Sequence, residues 1–161
     1  MRNLSELKIR AGGPFECPSP DQALISEFEH HFHATLPAEH VKLLRYFNGG
    51  EPALNAIFRP ADDVDPVWWI NRFYYLDRDR AGLENLWEET AHGGPMLGPM
   101  AVPFAENGLG DQFFLGIGTT PASVKIFYPG ENAIIVEIAP SFEQFIDRLE
   151  RHREADEQSR L

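Results

Sequence analysis

The run His30-His31-Phe32-His33 is the first place in the chain where residue type and spacing suggest chemistry. Imidazole is a common metal ligand and changes charge near neutral pH. At 100° per residue on a helix, His30 and His33 point away from an apolar face of Leu24, Ile25, Phe28 and Phe32, and His31 flanks that face. Two imidazoles three apart fall short of a site, because structural zinc takes four ligands and catalytic zinc usually three. Cys17 is the only thiol that could complete a set. The histidines therefore read as surface residues. The alternative, from another functional class, is a small metal-dependent enzyme using His30, His33 and nearby acids. We expect no metal, no cofactor and no catalytic residue.

A second cluster, Asp62-Asp63-x-Asp65, runs into Trp68-Trp69. It lacks the alternating ligands, central glycine and terminal glutamate of a calcium loop. Carboxylates beside tryptophan combine steering charge with the side chains that dominate protein interfaces. Asp62, Asp63, Asp65, Trp68 and Trp69 are accordingly the candidate partner-binding residues, although at least one tryptophan is expected in the core. Other chemical signatures are missing. Gly108-x-Gly110 precedes a strand rather than opening a helix, Gly116-x-Gly118 lacks a third glycine, and no phosphate loop or Gly-x-Ser-x-Gly elbow occurs.

The formal net charge is −11, from 25 acidic and 14 basic residues. That balance repels phosphate backbones and anionic lipid and favours basic partners, so neither direct nucleic-acid binding nor membrane binding is expected. No apolar run approaches the ~20 residues of a bilayer span, and no signal-peptide pattern opens the chain. One cysteine cannot form an internal disulfide, which suggests a reducing, cytoplasmic setting. The oligomeric state has no signature.

The elements that must position these residues follow from periodicity. Residues 1–18 read as a loosely docked arm with one short strand near Leu7 to Ile9, and residues 19–150 as the domain. A first helix opens at Ser19-Pro20-Asp21-Gln22, with Ser19 as cap. A second begins at Leu36-Pro37 and stops at Asn48-Gly49-Gly50, with Leu36, His40, Leu43, Leu44 and Phe47 on one face. A short strand is expected at Ala56 to Arg59, and the aromatic run Val67 to Leu76 favours another. A third helix is expected from Asp79 to Thr90, capped by Asp77, then a Gly/Pro linker from Ala91 to Pro99. Met100–Ala105, Asp111–Ile117, Val124–Tyr128 and Ala133–Ile138 alternate as strands, and their short connections force antiparallel neighbours. Ser141-Phe142-Glu143-Gln144 caps a closing helix, and residues 151–161 form a charged tail. The sum is a single α+β domain: N-terminal helices, an antiparallel meander and a C-terminal helix.

Leu36-Pro37, Leu43-Leu44, Tyr46-Phe47 and Asn48-Gly49-Gly50 together resemble the SUKH superfamily, which groups fungal cell-wall-assembly regulators with bacterial immunity proteins. Pro103-Phe104-Ala105, Gly108-x-Gly110-Asp111, the hairpin Val124–Tyr128 with Ile134–Ile138, and Ser141-Phe142-x-x-Phe145-Ile146-x-x-Leu149 extend the resemblance over Ser19 to Leu149. Two features depart from the pattern: a longer segment from Glu51 to Pro66, and Gly116 where members often carry an acidic residue. The resemblance implies an α+β fold without catalysis and a protein-binding role. An immunity protein that neutralises a cognate basic toxin, such as a nuclease, is the leading expectation. A housekeeping scaffold or regulator of the same fold is the alternative.

Overall fold

The computed structural model describes residues 1–11, 17–59, 67–79, 82, 84–98 and 100–152, with the backbone alone at 94 and 95. Helix α1 spans Gln22–Phe32. Its cap is Asp21 rather than Ser19: the Asp21 carboxylate accepts from Leu24 N–H at 2.8 Å, and Ser19 Oγ donates instead to Arg45 O at 3.2 Å. Ile25 and Phe28 are buried, with Leu24 and Phe32 partly covered beside them, as the 3.6-residue period requires. Helix α2 spans Ala38–Tyr46, with Pro37 at the N-cap position and His40, Leu43 and Leu44 buried. It ends at Phe47 in extended backbone, two residues before the glycines expected to stop it.

Helix α3, Leu86–Leu97, lies well C-terminal of the expected Asp79–Thr90 span. Asn85 is the cap, accepting from Trp87 N–H at 3.1 Å while its amide donates to Asp77 O at 2.6 Å. The supposed linker from Ala91 is helical through Leu97 despite Gly93, Gly94 and Pro95. Tertiary packing overrides weak propensity here: α3 runs beside the sheet, Trp87 meets Phe28, Phe32 and His31 with ring centroids 5.1–5.6 Å apart, and Leu97 joins a cluster at the other end.

The aromatic run after Pro66 divides between two sheets. Strand β1, Ala56–Phe58, pairs antiparallel with β2, Val67–Trp69. Strand β3, Arg72–Phe73, belongs to a five-stranded antiparallel sheet with β4 (Ala101–Glu106), β5 (Gln112–Gly116), β6 (Ser123–Tyr128) and β7 (Ile134–Ala139), in the order β3-β4-β5-β6-β7. Helix α4, Phe142–Arg148, is capped by Ser141 Oγ accepting from Gln144 N–H at 3.2 Å. The chain is thus an α+β domain.

Alternation along the meander sends Phe113, Leu115, Val124 and Ile126 into the main core, against Leu43 and Leu44 of α2 and Phe142, Phe145 and Ile146 of α4. Phe104 meets Phe142 and Phe145 edge-on at 5.3 and 5.4 Å. Each such fully buried ring contributes about 1.5–3 kcal/mol by leaving water. Phe114 and Phe127 face the other way and pack with Ala101 and Leu97.

The described part of the N-terminal arm is held firmly, contrary to expectation. Leu4–Leu7 form a 3₁₀ turn rather than a strand, and Leu7 is fully buried. Arg10 and Glu51 exchange backbone bonds at 2.9 and 2.8 Å, and Arg2 donates to Leu149 O and Asp147 O, both at 2.7 Å, closing the last turn of α4.

The residues expected merely to end α2 form a joint. Asn48 accepts from Leu76 N–H at 2.8 Å and donates to Leu76 O at 2.9 Å and Pro18 O at 2.8 Å. Gly50 exchanges both backbone bonds with Phe73 at 3.1 and 2.9 Å. Its φ is +110°, and a Cβ there would collide with Arg10 O, so conformation and space both demand glycine.

Candidate partner-binding surface

The β1–β2 pair carries the tryptophans. Adjacent strand residues face opposite ways, so Trp68 and Trp69 cannot share an environment. Trp68 is 8% exposed, its indole N–H donates to Tyr128 Oη at 2.7 Å, and the Arg59 guanidinium lies 4.4 Å above its ring. That cation–π contact and hydrogen bond fix Trp68 as a wall between the hairpin and the end of β6. Trp69 is partly exposed, and Phe58 is 38% exposed on the same hairpin. Asp62, Asp63 and Asp65 lie outside the described residues. Of the five candidates, the structure therefore locates two, one walled in and one accessible at the surface.

The histidines separate in the same manner. His30 and His33 stand at the surface with ring centroids 6.4 Å apart, and His31 packs on Trp87. Among the described residues, no three His, Cys, Asp or Glu side chains converge into a metal-binding group. His40 differs from all three. It is 1% exposed, lies between Phe104 and Phe142 at 5.8 and 5.1 Å, and its buried Nδ1 has no hydrogen-bond partner among the described residues. Burial alone lowers its pKa to about 3, so the ring is neutral at any ordinary pH.

Two polar groupings escaped the sequence reading because their members are distant along the chain. Arg72, on β3, reaches Glu84 and also Glu51 at 2.9 Å, and Glu51 meets Arg10 at 3.6 Å. The hydrogen bonds that Arg72 donates to Glu84 and Glu51 raise its pKa further, so it is a permanent cation bridging the α2 exit and the approach to α3. Nearby, Gln112 donates to Glu89 at 2.7 Å and to Tyr74 Oη at 3.4 Å. Desolvation raises both the Tyr74 phenol and the Glu89 carboxyl. They read as part-buried polar links between elements.

A cleft of about 470 Å³ opens between the α1–α2 connection and the β5–β6 turn, walled by Leu36, Pro37, Ile117 and Pro121, with Met100 46% exposed at its side. The Gly108–Gly110 turn is organised by Asn107, whose side chain accepts from Leu109 N–H at 2.9 Å and Asp111 N–H at 3.2 Å and donates to the Asp111 carboxylate at 2.7 Å. Its glycines adopt φ values of +79° and +100°, which explains them without any phosphate. No helix among the described residues is long and apolar enough to cross a membrane.

The model of the SMI1 / KNR4 family (SUKH-1) matches residues 19–148, from the segment preceding α1 to the end of α4. Neither a curated protein nor a solved structure matches the chain. The matched span contains the Asn48-Gly49-Gly50 joint, the antiparallel meander and the capped closing helix described above. The chain belongs to the SMI1 / KNR4 family (SUKH-1).

Proposed function

We propose that this protein is a non-catalytic, cytoplasmic immunity protein that neutralises a cognate bacterial toxin by direct association, the toxin being basic and most simply a nuclease. Family membership is consistent with an immunity or regulatory role. The observation that carries the finer reading is the net charge of −11. An acidic protein can be steered to, and can cover, a surface built to hold phosphate. Asp62, Asp63 and Asp65, followed a few residues on in the sequence by the partly exposed Trp69, supply the charge and the anchor for such a contact.

The test is capture of the partner from the native host on the immobilised protein, followed by co-expression of that partner with and without it. Rescue of growth supports the reading. A captured partner that is not toxic would replace it with a scaffold or regulatory role. Once a toxin is in hand, changing Asp62, Asp63 and Asp65 to Asn should weaken binding and flatten its salt dependence. Unchanged values for both would remove this segment from the interface.

A further inference from the structure

The five-stranded sheet ends differently at its two edges. At β3 the outer side is covered: Phe73 exchanges bonds with Gly50, and Tyr75 N–H reaches Glu84 O at 2.9 Å. At the opposite edge, among the described residues, β7 pairs only with β6. Among the described residues, the hydrogen bond it receives from outside the ladder is from Arg148 Nη1 to Ile138 O at 2.5 Å, which leaves Ile134 to Glu137 uncovered. An uncovered strand presents backbone donors and acceptors that template another strand, and natural edges are usually guarded by lysine, proline or a bulge. Here the register shift lies at the Arg148 end, opposite Val124/Lys125, and no lysine or proline interrupts Ile134–Ala139. Ile134 and Ile135 are 55% and 47% exposed, and consecutive strand residues place them on opposite faces of this edge.

The charge around the edge selects the occupant. Glu131 and Glu137 are exposed. Lys125 is opposite Glu137 in register, yet its ammonium leans toward β5, 3.7 Å from where a Cβ on Gly116 would stand. Glu137 has no ion-pair partner among the described residues. A second copy would bring these carboxylates against their own kind on a chain already at −11. A strand carrying Lys or Arg would complement them. The edge is also continuous with the hairpin surface, because Ile134 pairs with Tyr128, whose hydroxyl holds Trp68.

We propose that Ile134–Glu137 of β7 accepts an extended segment of a partner protein as a sixth strand, one in which apolar residues alternate with Lys or Arg. Main-chain bonds would supply affinity, and the two isoleucines and Glu137 would supply selectivity. The identity of the natural partner rests on the protein-binding reading above; the edge itself does not.

The test uses the whole protein and a short synthetic peptide alternating Lys and Val, followed by backbone amide NMR. The expected result is shift changes and slowed hydrogen exchange concentrated at residues 133–138. Affinity should fall about tenfold for a Glu/Val peptide, for a backbone N-methylated Lys/Val peptide, and for the I134K/I135K variant. Both substitutions are at exposed positions, and unchanged amide shifts elsewhere will show that this variant folds. The proposal is overturned if the changes map elsewhere, if the methylated peptide binds as well, or if the free protein already dimerises through β7. Because the peptide is not the natural partner, these failures leave the protein-binding reading standing. That reading fails separately, if native-host capture yields no protein.

Discussion

His40 allows a quantitative test of the core. Its ring is enclosed by Phe104 and Phe142, and its folded-state pKa is about 3 against an ordinary value of 6.5. The folded protein excludes a proton that the unfolded chain accepts once pH drops below 6.5, so stability declines as pH falls through the window from 6.5 toward 3. At about pH 5.5 the difference in proton binding amounts to roughly 1.4 kcal/mol, a tenfold change in the folding equilibrium. Working there keeps the protein above its isoelectric point of about 4.9. His40→Leu removes the titration and fills similar space, and should lie within about 1.5 kcal/mol of the parent near neutral pH. Glu89 is common to both proteins, so its contribution cancels in the difference. Urea unfolding followed by tryptophan fluorescence at about pH 7.5 and 5.5 should show the parent losing about 1.4 kcal/mol relative to His40→Leu. Parallel losses would mean that the folded state accommodates the imidazolium, and the reasoning from enclosure would be refuted.

The joint after α2 should be equally sensitive. Asn48→Ala strands Leu76 N–H, Leu76 O and Pro18 O and should cost about 3 kcal/mol in the same unfolding assay. Gly50→Ala must adopt a φ of +110° and displace Arg10 O, and a loss of about 3 kcal/mol is expected; a loss below about 1 kcal/mol would show that the joint yields. Tyr128→Phe removes the acceptor for the Trp68 indole N–H at a site only 8% exposed, and should destabilise by about 1–2 kcal/mol.

What the sequence revealed follows from what periodicity can carry. Strands β4 to β7 and helix α4 were legible because alternation, turn residues and the Ser141 cap are all local. The placement of α3 was not, because Asn85 is fixed by Asp77 and by the bridge to Tyr75, and Gly93 to Pro95 argue against a helix that packing sustains. The run from Val67 to Leu76 is dominated by aromatic and β-branched residues, yet it crosses between sheets at Ile70-Asn71, where two polar residues, Asn71 and Arg72, are too brief an interruption to be read as a boundary. At the candidate surface, the tryptophan doublet announced itself, but the wall around Trp68 comes from Arg59 and Tyr128, the latter 60 residues away. The open edge at Ile134 and Ile135 was invisible, since an exposed isoleucine and a buried one look alike in sequence.

The joint at Asn48–Gly50 also bears on how the chain folds. It binds Pro18, Phe73 and Leu76, so none of these bonds is complete until segments roughly 20–30 residues away on both sides have arrived. Closing two such loops is an entropic cost that local helix formation does not meet. The joint should therefore form after the folding barrier has been crossed. Damage there would shorten the lifetime of the native protein while leaving its refolding rate nearly unchanged.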